Sequence, residues 1–273
     1  MRIAAVVVAA LALLYAQVAI GLVRQWATDP AASHGVLLIA AALFLIVQRW
    51  PALRRVPVQP TTAGLALAGV AMLIYLAGAI AGDLFVQRVS LPLALGGAVY
   101  SACGTTYFRR LFAPIALVAL ALPLPAIVVT YITMPLQLVS SQIASDLLQA
   151  SSIHVIRQGN LLVLDSMTLE VAEACSGLQS LLSLISVTAV AAALLPINRW
   201  GRLAMFASVV PIAIIGNGFR VAATGVLATW FGPIAVEGII HEMTGVVAFA
   251  VMCAGMFGLL WIGRFSPTRT TAA

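Results

Sequence analysis

Helix-length apolar runs constrain this chain more than any other feature. They lie near 3–23, 33–48, 63–82, 89–107, 111–130, 176–195, 203–219 and 242–263, and each approaches the ~20 residues that a helix needs to cross hydrocarbon. They are far longer than the ~10-residue alternating strands of an outer-membrane barrel. Composition agrees: 63% of residues are hydrophobic, 8% are charged and the mean hydropathy is +1.11, against roughly a quarter charged in a soluble domain. The exterior therefore faces lipid. Three Cys, 13 Pro and 21 Gly without a period exclude a disulfide scaffold and a collagen. The expectation is an all-α polytopic membrane protein of about eight transmembrane helices with a small extracytoplasmic helix and β-hairpin cap. It forms a single membrane domain over 1–273, with an N-terminal four-helix region at 1–110. A second region, 111–263, carries the candidate chemistry and includes an extracytoplasmic segment at 131–174.

The net charge of +6 comes from 14 Arg, no Lys and eight acids. No basic cluster is interleaved with aromatics, and no glycine-rich phosphate loop or Walker motif occurs, so nucleic acid and nucleotides are not expected partners. With the N-terminus inside, Arg2, Arg49, Arg54, Arg55, Arg109, Arg110, Arg199, Arg202, Arg264 and Arg269 are cytoplasmic, and only Arg24, Arg88, Arg157 and Arg220 lie outside. That distribution satisfies the positive-inside rule. Both termini are then cytoplasmic and all the acids extracytoplasmic. The first run exceeds the 7–15 apolar residues of a signal peptide and has no A-x-A site before Thr28, so it reads as an uncleaved helix.

Within 131–174, Leu136, Val139, Ile143 and Leu147 recur at helical spacing with Ser140, Ser141, Gln142 and Asp146 between them, which predicts an interfacial amphipathic helix. From Ile153 the period falls to two. Met167, Leu169 and Val171 alternate with Thr168, Glu170 and Ala172, and Gly159-Asn160 suits a turn between short strands. The last strand would lead through Glu173-Ala174-Cys175-Ser176-Gly177 into the sixth helix.

Under this topology the sixth helix begins at Cys175, the seventh ends near Arg220 and the eighth begins just after His241. A thiol, a guanidinium and an imidazole thus reach one layer at the outer membrane boundary, the set that nucleophilic acyl transfer requires. Each has a plainer reading. Cys175 can be a small packing residue, although a strand-to-helix junction places its sulfur at the positive end of a helix dipole, where a thiolate is stabilised. Arg220 can snorkel to headgroups. Asn217, however, shares its helix face, and a polar pair on a membrane helix normally points into the bundle. His241 can be an interfacial histidine, and His34 and His154 compete with it as bases. It is favoured by its place at a helix start with Gly245 one turn on, and an imidazole there suits proton transfer. Cys103 and Cys253 are too far along their helices to pair with Cys175.

His241-Glu242 opens like a zinc-protease helix, but HExxH needs a second His where Gly245 stands. No metal and no cofactor are expected. Gly78 and Gly82 form a GxxxG pair that reads as helix packing.

Ala174-Cys175-Ser176-Gly177, Asn217-x-x-Arg220 and His241-x-x-x-Gly245 follow in that order in a polytopic chain of this size. In this the chain resembles the exosortase/archaeosortase family over roughly residues 110–263. The resemblance implies a membrane-embedded cysteine transpeptidase acting on secreted or surface proteins with a C-terminal sorting signal: a short motif such as Pro-Glu-Pro, a transmembrane helix and an Arg-rich tail. It implies Cys175 as nucleophile, Arg220 as transition-state stabiliser and His241 as proton-transfer residue; Asn217 matches the family's Asn without an assigned role, and Asn217, Ser176 and Glu173 are candidates for binding substrate or supporting the site. Cleavage would pass through a thioester to an amine, a lipid or glycan group, or water. Two rivals remain: a transporter or assembly subunit for exported polysaccharide or lipid with Arg220 and His241 on its path, and a purely hydrolytic membrane cysteine protease.

Overall fold

The structure is a computed structural model that describes residues 2–165, 167–171, 177–235 and 238–262. The chain divides into two compact units, Met1–Pro125 and Ala126–Ala273.

The N-terminal unit holds α1 (Arg2–Thr28), α2 (His34–Leu53), α3 (Ala63–Ala81), α4 (Leu84–Cys103) and α5 (Thr105–Leu120). α3 and α4 form a tight antiparallel pair because glycines remove the side chains between them. A Cβ on Gly64 would sit 2.1 Å from the Ser101 backbone, and one on Gly97 would sit 2.6 Å from that of Ala68. Gly78 likewise faces the Gln87 backbone, but Gly82 does not share its packing role. It ends α3 in the left-handed conformation at φ +69°, and Asp83 then caps α4 through Phe85 N–H and Val86 N–H. Two tyrosines satisfy their hydroxyls inside the unit, Tyr15 on Ser90 Oγ at 2.8 Å and Tyr75 on the Leu14 carbonyl at 3.3 Å. The unit's apolar core gathers around Tyr15, Val18, Leu22, Ala71 and Ala94.

The C-terminal unit holds α6 (Ala126–Ala150), the strands β1 (Val155–Gln158), β2 (Leu161–Leu164) and β3 (Thr168–Glu170), then α7 (Leu178–Leu194), α8 (Arg199–Phe231), a 3-10 turn Gly232–Ala235 and α9 (Ile239–Ile262). The strands form one antiparallel sheet in the order β1-β2-β3, with Ile156 opposite Val163 and Leu162 opposite Leu169. Gly159, at φ +65°, opens the two-residue turn that the sequence places there. The sheet buries Val155, Leu162, Leu164, Leu169 and Val171 against Ala144 and Leu148 of α6 and Val221, Ala222 and Ala228 of α8. The cap is therefore a three-stranded sheet rather than a hairpin, and it packs on two helices.

Six helices are long and apolar enough to cross a membrane: α1, α2, α3, α6, α8 and α9. α7 is apolar but shorter. A mostly helical polytopic membrane protein follows. Several predicted boundaries move. The run 111–130 is not one helix, because the chain leaves helical geometry around Leu122–Pro125, where Pro123 and Pro125 withhold backbone donors. The helix expected in the cap therefore starts at Ala126. Its buried face is also shifted: Ser140, Ser141, Ala144, Ser145 and Leu148 are buried and Val139 is exposed, while Leu136, Ile143 and Leu147 are half-buried and Gln142 and Asp146 stay exposed. In lipid, small and polar residues gain by facing other helices, and apolar ones lose nothing by facing outward.

α6 and α8 run side by side in the same direction. A Cβ on Gly218 would meet Ile143 Cγ2 at 2.5 Å, and one on Gly225 would meet Leu148 Cδ1 at 3.0 Å. α9 returns antiparallel along α8, with Gly216 under Met252 and Gly245 under Arg220. Below this, Met205, Val209 and Ala213 of α8 form a second core with Leu184 and Ala191 of α7 and Met256 of α9.

Candidate functional site

α8 does not end near Arg220 but runs eleven residues on, to Phe231. The extension is held by the sheet, since Val221, Ala222 and Ala228 belong to the same core as Leu162 and Leu169. α9 starts at Ile239, so His241 lies within its first turn instead of before it. Arg220 and His241 meet across these two helices, with Arg220 Nη2 3.3 Å from His241 Nε2. A guanidinium only donates, so Nε2 is the acceptor and a neutral His241 carries its proton on Nδ1.

The Arg220 guanidinium is not snorkelling away from the protein. It is held between α8 and α9, its Nε is buried, and among the described residues no acceptor lies within hydrogen-bonding distance of that Nε. The only ion pair among the described residues joins His154 Nδ1 and Asp165 at 3.0 Å on the exposed edge of the cap. Arg220 thus presents a buried N–H without a carboxylate partner among those residues.

Asn217, one turn before Arg220, is completely buried and donates from Nδ2 to Ser140 Oγ at 2.9 Å. This bond ties α8 to α6. On its other side Asn217 supports Gly177, where a Cβ would lie 2.9 Å from Asn217 Cγ and 3.0 Å from Nδ2. Gly177 has φ +86° and caps α7, which begins at Leu178. A right-handed helix does not pass through that conformation, so the sixth predicted helix does not begin at Cys175. Cys175 itself lies outside the described residues, with Glu173 and Ser176.

β3 closes the site from above. Leu169, Glu170 and Val171 line a cavity of about 30 Å³ with Arg220, Val221, Thr224 and His241, a volume that suits one water or one small polar group. A larger apolar groove of about 760 Å³ runs between α8 and α9, its walls including Ile212, Phe219, Met243 and Val247, with Arg220 on its lining. Arg220 therefore lines both spaces, a small one under the sheet and a larger apolar one between α8 and α9.

Of the residues singled out from the sequence, the structure brings Arg220, His241, Asn217 and the Gly177 end of the cysteine motif into one neighbourhood. The other two histidines have their own local partners. His154 is engaged with Asp165, and His34 belongs to the N-terminal unit, where its Nδ1 donates to the Ala31 carbonyl at 2.9 Å. Three contributors escaped sequence reading: Ser140, the β3 residues over Arg220, and the clearance at Gly245. Gly245 was legible as a small residue one turn after His241, but only the fold shows what fills the space. Nothing in the sequence relates Ser140 to Asn217, 77 positions away.

Among the described residues no group of three or more His, Cys, Asp or Glu side chains is placed to hold a metal ion. Comparison with curated proteins and with solved structures returns no match. The family model described as transmembrane exosortase matches residues 26–258, which takes in both units, the cysteine motif and the Arg220–His241 pair. The chain belongs to the transmembrane exosortase family.

Proposed function

We propose that this protein is a cysteine transpeptidase of the extracytoplasmic membrane face that removes the C-terminal sorting signal of exported proteins. The observation that carries the reading is the Arg220–His241 pair, with Nη2 and Nε2 3.3 Å apart and the neighbouring Nε–H buried without an acceptor among the described residues. A donor held rigid and dry where charge develops is the largest single contributor to acyl transfer. Support for Cys175 as its nucleophile comes from Gly177, two residues along the chain and packed on Asn217. Two residues of chain span at most about 7 Å.

In this reading His241 Nε2 gives up the Arg220 N–H as it takes the Cys175 proton, which frees that donor, and the thiolate attacks the scissile carbonyl carbon. The tetrahedral oxyanion accepts from Arg220. The C–N bond then breaks to leave a thioester on Cys175, and the departing amine carries off the proton held by His241. An acceptor N–H or O–H next gives its proton to His241 as it attacks the thioester; the C–S bond breaks, and His241 returns the proton to the departing sulfur, releasing product and restoring the thiol. The apolar groove between α8 and α9 extends from Arg220 past Ile212 and Met252. That lining supports placing the substrate's tail helix there, with its scissile bond at the guanidinium. Asn217 and Ser140 act as positioning residues, and Ser176 and Glu173 remain candidates for substrate contact.

A reporter carrying a Pro-Glu-Pro motif, an apolar helix and an Arg-rich tail, co-expressed with the protein, tests this. Cys175→Ala abolishes tail removal while membrane insertion stays intact. Arg220→Lys lowers the rate about 100- to 1,000-fold, as expected for a lost oxyanion donor. Full processing by Cys175→Ala rules out the thiol mechanism, and a reporter left intact by the wild type favours the transporter or assembly-subunit reading.

A further inference from the structure

Gly245 is one turn beyond His241 on the same face of α9. A Cβ built there would lie 3.2 Å from Arg220 Nη2, 3.3 Å from Cζ and 3.5 Å from Nε. Because Cζ is as close as the two nitrogens, the guanidinium lies face-on against the position a side chain would occupy. The same helix turn therefore supplies the seat for the Arg220 plane and, through His241 Nε2 at 3.3 Å, the acceptor at its edge. We infer that Gly245 is a positioning residue for the reaction: its missing side chain lets the Arg220 guanidinium lie flat on α9 and sets both its spacing from His241 and the aim of its buried Nε–H. The catalytic part of this rests on the proposed function; the seat does not.

The inference separates from ordinary helix packing because the atoms in the way are the far end of a flexible side chain. A methyl at 245 displaces the guanidinium by a few tenths of an ångström and leaves the backbone alone. Ala is also the better helix former, so the fold holds or gains while the reaction loses. Gly255, on the same helix, has nothing within 4 Å of its would-be Cβ and serves as the control.

The chain has three histidines, so ring-¹⁵N-histidine labelling of the full protein in lipid nanodiscs resolves each site, and His241 is assigned by its loss in His241→Gln. The expected result is a shifted His241 ring signal in Gly245→Ala, a larger shift in Gly245→Val, and wild-type signals in Gly255→Ala. The same order appears when purified reporter is titrated against the nanodisc-held protein, with kcat falling about 10-fold for Ala and about 100-fold for Val at unchanged KM, the scale of an ångström-level misplacement. Gly245→Ala adds nothing in an Arg220→Ala background, read from the His241 signal. A His241 signal in Gly245→Ala that coincides with wild type, or that moves equally in Gly255→Ala, overturns the inference. Should Gly245→Val fail to fold, the Ala variant alone decides. If the wild type leaves the reporter intact, the proposed function fails, and the ring signals still decide whether Gly245 seats Arg220.

Discussion

At the scale of single residues, the site is built from pairs in which one member lacks a side chain so that the other can be placed. Gly177 and Asn217 are the second such pair. Gly177→Ala has two independent costs, a left-handed backbone at φ +86°, worth about 1–2 kcal/mol for a residue with a Cβ, and a Cβ 2.9 Å from Asn217 Cγ. Asn217 is wholly buried and bonded to Ser140, so it has little room to yield. Gly177→Ala is therefore expected to destabilise the protein by about 2–3 kcal/mol in thermal unfolding. Asn217→Ala removes the collision but leaves the Ser140 hydroxyl buried, so the double variant should be less than additive by about 1 kcal/mol; strict additivity would mean the two residues do not support each other. The residue types were legible from the sequence. Cys, Arg and His stood out because thiol, guanidinium and imidazole have no cheap place in an apolar run. Ser140 did not stand out, since a serine in a membrane helix is unremarked until its partner is known.

At the scale of elements, sequence periodicity locates the helix but not the centre of its buried face. The stretch holding Leu136, Val139, Ile143 and Leu147 was legible as a helix, yet its serine-bearing side is the buried one. The hydrophobic effect that orients a helix in water has no counterpart between lipid and leucine, so close approach through small residues decides instead. Gly218 and Gly225 provide that approach between α6 and α8, and this contact carries Asn217 to Ser140. Gly218→Val places two methyl groups where even a Cβ lies 2.5 Å from Ile143, an overpacking expected to cost about 1–3 kcal/mol. Gly69→Ala on α3, with nothing within 4 Å, should leave thermal stability in detergent unchanged or raise it. Equal effects from the two substitutions would show that α6 and α8 do not depend on this seam. Alternation at 167–172 marks the third strand and Gly159-Asn160 the turn, but a hairpin is expected where three strands pair. The third strand's role as a roof over Arg220 is a tertiary fact that no local pattern encodes.

At the scale of the whole molecule, two helices of the C-terminal unit measure the depth of the site independently. From Arg202, whose charge marks the inner boundary in the positive-inside reading, α8 rises about 27 Å to Arg220 at 1.5 Å per residue. From Ile262, just before Arg264, α9 rises about 31 Å to His241. Both distances equal the ~30 Å hydrocarbon thickness, and the two residues so placed are the ones whose side chains meet at 3.3 Å. The helix lengths that carry the site therefore lead to one layer with the sheet over it, and the charge asymmetry supports the proposal that this layer is the extracytoplasmic one. This orientation has a direct test in a background in which Cys103, Cys175 and Cys253 are replaced by alanine. A thiol introduced by Asp165→Cys on the exposed edge of the cap should react with a membrane-impermeant maleimide on intact cells, and one introduced by Val58→Cys, in the exposed link between α2 and α3, only after the membrane is opened. The reverse pattern would turn the sheet and the Arg220–His241 pair toward the cytoplasm, where a signal on an exported protein never arrives, and would leave the intact pair serving some other chemistry.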